Sequence, residues 1–175
     1  MGGSAAGGMS SSTRKAYARV EVQKRPRPRG DPGFTFDFES EYPDHDDALV
    51  ITACIANACI RCIMIDTGSS TDILYLDAFH KLRMTNRDLA PMTSTLTGFT
   101  GDAITPVGVV TLVIFGDEPR TKTLMVQFMV VDLPSAYSVI IGAPTLNKLR
   151  AFVSTYHRSM KFPTSTSPGE IKSDP

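Results

Sequence analysis

The run Ile63-Met64-Ile65-Asp66-Thr67-Gly68-Ser69-Ser70 carries the clearest chemistry in this chain. An apolar, strand-like stretch delivers one carboxylate, Asp66, into a turn of Thr, Gly and Ser. Hydrolysis of an amide by water needs one group to take a proton from the water and another to protonate the leaving nitrogen. Two carboxylates held close together do both, because like charges at short range cannot both ionise and so share one proton. Asp66 supplies one of them. Gly68 lets backbone N–H groups approach the carboxylate, and Thr67 offers a hydroxyl for a bond across to a second copy. Ser69 or Ser70 could donate to the outer carboxylate oxygen. No other Asp-Thr-Gly or Asp-Ser-Gly occurs between Met1 and Pro175. The second carboxylate is therefore expected from another chain, most simply across a two-fold axis. Taken alone, the triplet is also an ordinary turn sequence.

Other reactive groupings are weaker. Ser69 or Ser70 with His80 or His157 and Asp72 could be assembled into a triad, but the G-x-S-x-G setting is missing. Cys54, Cys59 and Cys62 form C-x4-C-x2-C without a fourth cysteine. Set among Ile, Ala and Val, they read as small buried thiols rather than a metal or iron–sulfur site. His45-Asp46-Asp47 reads as an exposed acidic loop, and His80 as a surface residue on a helix. No metal and no other cofactor is expected.

The elements that must position Asp66 are mostly strands. Ala48 to Ala56 and Cys59 to Ile65 are apolar, β-rich runs around a turn at Asn57-Ala58. Ile73-Leu74-Tyr75 is a short strand, and Asp77 caps a helix through Met84 with Leu76, Phe79 and Leu82 on one face. Met92 to Thr97 and Ile104 to Phe115 form a long hairpin whose tip, Gly98-Phe99-Thr100-Gly101-Asp102, holds two glycines. Thr121 to Asp132 is a further strand. Ser138-Val139-Ile140-Ile141-Gly142 is a short buried strand, followed by a helix from Pro144 to about Arg150. Phe152 to Phe162 adds one or two last strands. Many short strands with Gly and Pro turns imply an all-β, closed-barrel domain with one or two short helices.

Length and composition bound the rest. With 175 residues and 42% hydrophobic content, the chain suits one domain plus flexible ends. We expect a flexible basic linker at 1–33, a folded domain at 34–163 and a flexible tail at 164–175, with order starting in an alternating strand at Phe34-Thr35-Phe36-Asp37-Phe38. Formal charge is zero, yet Ser11 to Gly30 holds seven Lys or Arg against Glu21 alone, while Asp31 to Val50 holds seven acids and no Lys or Arg. The basic stretch reads as a disordered, solvated arm; weak nucleic-acid contact through residues 14–29 is the alternative. No run approaches the ~20 apolar residues of a membrane helix. The start lacks a signal peptide's apolar core, so the protein is expected to be soluble and intracellular.

Several stretches together are far more specific than the triplet. They are His45-Asp46-Asp47-Ala48-Leu49-Val50, Ile65 through Leu74, Gly98-Phe99-Thr100-Gly101, Pro134-Ser135-Ala136-Tyr137, Ser154-Thr155-Tyr156-His157 and Lys161-Phe162-Pro163-Thr164. Over most of residues 25 to 172 the chain resembles the retropepsins, the homodimeric aspartic proteases of retroviruses and LTR retrotransposons. The likeness is strongest to the protease segment of plant gypsy-type Gag-Pol polyproteins. The resemblance implies an acid-protease barrel in which Asp66 is the catalytic aspartate, Thr67 makes an inter-subunit Thr–Thr grip and Gly68 stands beside them. It implies that Gly98, Phe99, Thr100, Gly101 and Ile104 belong to a flap over the substrate. Ile140, Ile141 and Gly142 would pack behind the catalytic loop, and Ser69, Ile141 and Gly142 would line the peptide site. The implied partners are a second copy of the chain and a peptide or polyprotein, and the implied activity is endopeptidase. One departure stands out: many retropepsins carry Arg or Asp after that glycine, where this chain has Ala143. A catalytically weak retropepsin-fold binding or dimerisation module is the alternative.

Overall fold

A computed structural model describes residues 33–36, 47–98, 101–115, 123–164 and 167–174. The basic arm, most of the acidic stretch, and Phe99 and Thr100 of the expected flap lie outside the described residues. So do His45 and Asp46.

The fold begins with a hairpin. β1 (Leu49–Ile55) pairs antiparallel with β2 (Ala58–Ile65) from Leu49↔Ile65 to Ile55↔Ala58. The two-residue turn is Ala56-Asn57, one position earlier than expected, with Ala56 at φ 54°. A bulge interrupts the ladder between Ile51↔Ile63 and Ala53↔Ile60, and Cys62 sits there at φ 58°. The extra residue shifts the side-chain alternation by one. Ile60, Ile63 and Ile65 therefore all point into the core, whereas Cys59 and Cys62 are exposed and Cys54 is half-buried. This corrects the expectation of buried thiols: an unbroken period of two from Ile63 would have turned Cys59 inward.

Six strands close a barrel in the order β1-β2-β8-β3-β7-β6. β3 is Ile73–Tyr75, β6 Gly108–Phe115, β7 Leu124–Val131 and β8 Val139–Ile141. Antiparallel pairing of Cys54 with Phe115 and Ile55 with Ile114 completes the closure. β8 lies parallel to β2 and antiparallel to β3, and all three of its residues are buried. A strand with neighbours on both edges and both faces covered is apolar throughout, as Val-Ile-Ile is. Phe79, Phe128, Leu74, Val126 and Ile63 are among the side chains filling the interior. Two short α-helices accompany the barrel among the described residues, α1 (Leu76–Lys81) and α2 (Ala143–Leu149). The fold is all-β with a closed barrel, as the strand pattern implied.

Some boundaries move. α1 stops at Lys81 rather than Met84, and its N-cap is Tyr75, without a side-chain cap from Asp77. Within 92–97 only β4 (Leu96–Thr97) is strand, paired with β5 (Ala103–Ile104). Pro106, which has no N–H to give a ladder, lies in the break between β5 and β6. Phe34 to Phe36 are not strand; Phe34 packs on Phe152 at 4.9 Å and Phe36 stacks on His157 at 4.8 Å. The expectation of a frayed tail is corrected too. β11 (Gly169–Lys172) joins β10 (Ser159–Phe162) and β9 (Phe152–Ser154) in a three-stranded sheet. The Asp174 N–H then donates to the Val50 carbonyl at 2.9 Å. Backbone pairing with a ready strand edge needs no apolar side chains, so the polar composition of the tail hid it. Among the described residues no helix is long and apolar enough to cross a membrane.

Candidate active site

β2 and β3 are separated in the barrel by β8, so the chain from Asp66 to Asp72 must cross about 10 Å, two strand spacings, over the end of β8. That crossing is the Asp-Thr-Gly turn. Its position follows from register: Ile65 is the last β2 residue paired with β8, opposite Ile141. The Asp66 N–H donates to the Ile141 carbonyl at 2.9 Å.

Inside the turn, the Gly68 N–H donates to Asp66 Oδ1 at 2.9 Å, and the Ser69 N–H to the Asp66 carbonyl at 3.3 Å. The Ser69 hydroxyl donates to the Thr71 carbonyl at 2.8 Å. Of the two serines expected to be able to donate to the Asp66 carboxylate, Ser69 does not; its hydroxyl braces the far half of the turn. Asp66 is half-buried, and Thr67, Gly68 and Ser70 are exposed. The carboxylate thus stands on a surface turn held rigidly from behind.

Behind it lies the end of β8. The Ala143 N–H donates to the Ser69 carbonyl at 2.9 Å. Gly142 sits beneath the turn, where a Cβ would come within 2.3 Å of the Thr71 carbonyl oxygen and 2.9 Å of that of Ser69. Glycine is required here by close approach, since its φ of −97° suits any residue. Ala143 starts α2 with Pro144 in the first turn, so the position after the glycine serves as a helix start.

Sequence reasoning missed Asp72 as a structural carboxylate. It is 3% exposed, accepting the Gly142 N–H on Oδ1 at 2.7 Å and the Thr145 hydroxyl on Oδ2 at 2.8 Å. Burial pushes its pKa above the usual carboxylate value, opposed by these donors and by the Lys148 ammonium. A signal was present: Asp72 shares the parity of buried Leu74, two residues along β3.

The structure brings Asp66, Thr67, Gly68, Ser69, Ile141 and Gly142 together. Gly98, Gly101 and Ile104 belong to a separate hairpin, β4–β5. There the Gly98 N–H donates to the Asp102 carbonyl at 2.9 Å and the Gly101 N–H to the Gly98 carbonyl at 3.0 Å, with Gly101 at φ 85°. The serine triad does not form, because Asp72, which every version of it needs, is buried and engaged by Gly142 and Thr145. Among the described residues no group of three or more His, Cys, Asp or Glu is placed to hold a metal.

No family model matches the sequence, and no curated protein matches it significantly. Solved structures do. The retroviral protease-like domain of Ddi1 from Leishmania major superposes with a TM-score of 0.52 at 12% identity, over 74% of this chain and 95% of that one. A retropepsin-like aspartic protease from Rickettsia conorii gives a TM-score of 0.45 at 18% identity, over 61% of this chain and 76% of that one. With the closed barrel and its strand order, the first of these establishes that the chain has a retropepsin-like fold.

Proposed function

We propose that two copies of this chain form an aspartic endopeptidase of the retropepsin type, each contributing Asp66. One observation carries the reading. The chain's single Asp-Thr-Gly turn is fixed from behind by β8 and α2, while Thr67 and Gly68 remain exposed beside a half-buried carboxylate. A half-site of this form is completed by an identical turn across a two-fold axis, with Thr67 meeting its counterpart.

In the assembled site the two carboxylates share one proton. The ionised one takes a proton from a water as that water attacks the peptide carbonyl, and the protonated one supports the developing oxyanion. The Gly68 N–H, donating to Asp66 Oδ1, fixes the direction in which that oxygen faces. Proton return to the nitrogen releases the amine. Substrate lies extended and pairs its backbone with the protein as an added strand, covered by the β4–β5 hairpin with Gly98, Gly101 and Ile104 and with Ser69, Ile141 and Gly142 at its floor. The stretches from Ile65 to Leu74 and from Pro134 to Tyr137 support a retrotransposon polyprotein protease of the gypsy lineage as the origin. A protein of that kind would act on polyproteins.

The test is incubation with a peptide library at mildly acidic and neutral pH, with and without pepstatin. Pepstatin-sensitive products from the parent, and none from Asp66→Asn, are expected. Equal cleavage by Asp66→Asn ends the reading. Ala143, uncharged where many retropepsins carry a charge, favours a second reading, a binding or dimerisation module without turnover. Peptide binding without products in the same assay identifies it.

A further inference from the structure

We propose that Asp72 is the positioning residue for Asp66, a buried carboxylate that clamps the catalytic turn onto the start of α2. The inference rests on the protease reading for its kinetic consequence, but its structural half stands independently.

Four hydrogen bonds tie the turn to the segment behind it. The Asp66 N–H reaches the Ile141 carbonyl, and the Ala143 N–H reaches the Ser69 carbonyl. The Gly142 N–H and the Thr145 hydroxyl both end on the Asp72 carboxylate. Half of the clamp therefore runs through one side chain. That side chain is 3% exposed and Thr145 is 1% exposed, so water is a poor substitute for either partner. Asp72 is also fixed from its other side, because its carbonyl accepts the Met129 N–H at 2.9 Å from β7. The carboxylate thus joins the turn, β7 and the first turn of α2. Lys148, one helical turn beyond Thr145, is the charged group that bears on it.

Such a clamp has no reason to touch substrate. Its effect is geometric: with Asp72 removed, Gly142 and Thr145 lose their acceptor, and the turn between Asp66 and Asp72 is held only at Asp66 and Ser69. Misplacement of a reacting group by ~1 Å costs on the order of a hundred-fold in rate. The loss should appear chiefly in kcat, because the placement of the Asp66 carboxylate matters to the transition state more than to the bound peptide.

The experiment compares the full chain with Asp72→Ala, Asp72→Asn and Thr145→Val. Asn keeps an acceptor for the Gly142 N–H, and the Thr145 hydroxyl can turn to accept from its amide. Val keeps the shape of Thr145 and removes one donor. Peptide cleavage and amide hydrogen exchange are both measured. For Asp72→Ala we expect kcat to fall by about a hundred-fold with KM within about two-fold, and faster exchange at the amides of Asp66, Gly142 and Ala143. Asn should recover most of both readouts, and Thr145→Val should lie between. Should Asp72→Ala not fold, the Asn and Val variants decide. Unchanged kcat and unchanged exchange overturn the proposal, as does a loss confined to KM. If the parent cleaves nothing, the protease reading fails, while faster exchange in Asp72→Ala still supports the clamp and unchanged exchange still refutes it.

Discussion

Gly142→Ala isolates the steric contact on which the site geometry depends. A Cβ at this position would lie 2.3 Å from the Thr71 carbonyl oxygen and 2.9 Å from the Ser69 carbonyl oxygen. Both obstacles are backbone, so no side chain can swing away. Restoring an ordinary contact moves the turn by roughly 1 Å against a close-packed interior. Gly142 has φ −97° and ψ −174°, which alanine adopts without strain, so the backbone angles themselves contribute nothing. Overpacking of this kind costs ~1–3 kcal/mol. Gly142 is also the N-cap of α2; Ala is the poorer cap by up to ~1 kcal/mol, a loss that the ~0.4–1 kcal/mol gained by stiffening the unfolded chain cancels. The net expectation is ~1–3 kcal/mol of destabilisation, or a fall in Tm of roughly 2–12 °C for a domain of this size. The displacement reaches the Asp-Thr-Gly turn, so on the proposed reading cleavage should fall by on the order of a hundred-fold in the protein that remains folded. Urea unfolding measures the first effect and peptide cleavage at a temperature well below Tm the second. Gly33→Ala, with no atom within 4 Å of the added carbon, is the matched control. A Gly142→Ala protein as stable and as fast as the parent would refute the packing of the turn over β8.

Other consequences follow from the same contacts. Phe128 is fully buried in the barrel, and Phe128→Ala should cost ~3–5 kcal/mol in denaturant titration. Burial raises the Asp72 pKa, so the folded state holds this proton more tightly than the unfolded state. The contribution of Asp72 to stability is present in full below its unfolded pKa and is lost as pH rises through the folded value. The stability difference between parent and Asp72→Asn, followed from neutral to acid pH, should therefore move in favour of the parent as pH falls; the opposite drift contradicts the burial argument. Removing residues 14–29 should lower RNA affinity at low salt if the basic arm contacts nucleic acid, and unchanged affinity identifies a solvated linker.

Local signals identified much of the fold. The β-branched runs around Ala56-Asn57, the Val-Ile-Ile of β8 and Pro144 in the first turn of α2 each express a preference satisfied by immediate neighbours. The Asp-Thr-Gly triplet was legible for the same reason. What escaped depends on distant partners. The bulge at Cys62 is set by register against β1 and turns Cys59 out to water. β11 is a strand because β10 offers an edge, not because Gly169-Glu170-Ile171-Lys172 prefers one strongly. In sequence Asp72 offers only the acid of a weak serine triad; its structural role appears when β8 and α2 supply its donors. Proximity in sequence makes Ser69 or Ser70 a donor for Asp66, but folding gives the Ser69 hydroxyl to the Thr71 carbonyl.

The central claim is that two Asp66 side chains from two chains make one active site. Mixing tests it most directly: parent protein at fixed concentration, near its dimerisation constant, receives increasing amounts of Asp66→Asn and is allowed to exchange subunits. Mixed pairs hold one competent carboxylate, so the cleavage rate should fall steadily towards zero as the variant is added in excess. A rate that stays constant at every ratio, while sedimentation confirms that the two proteins associate, would contradict the account.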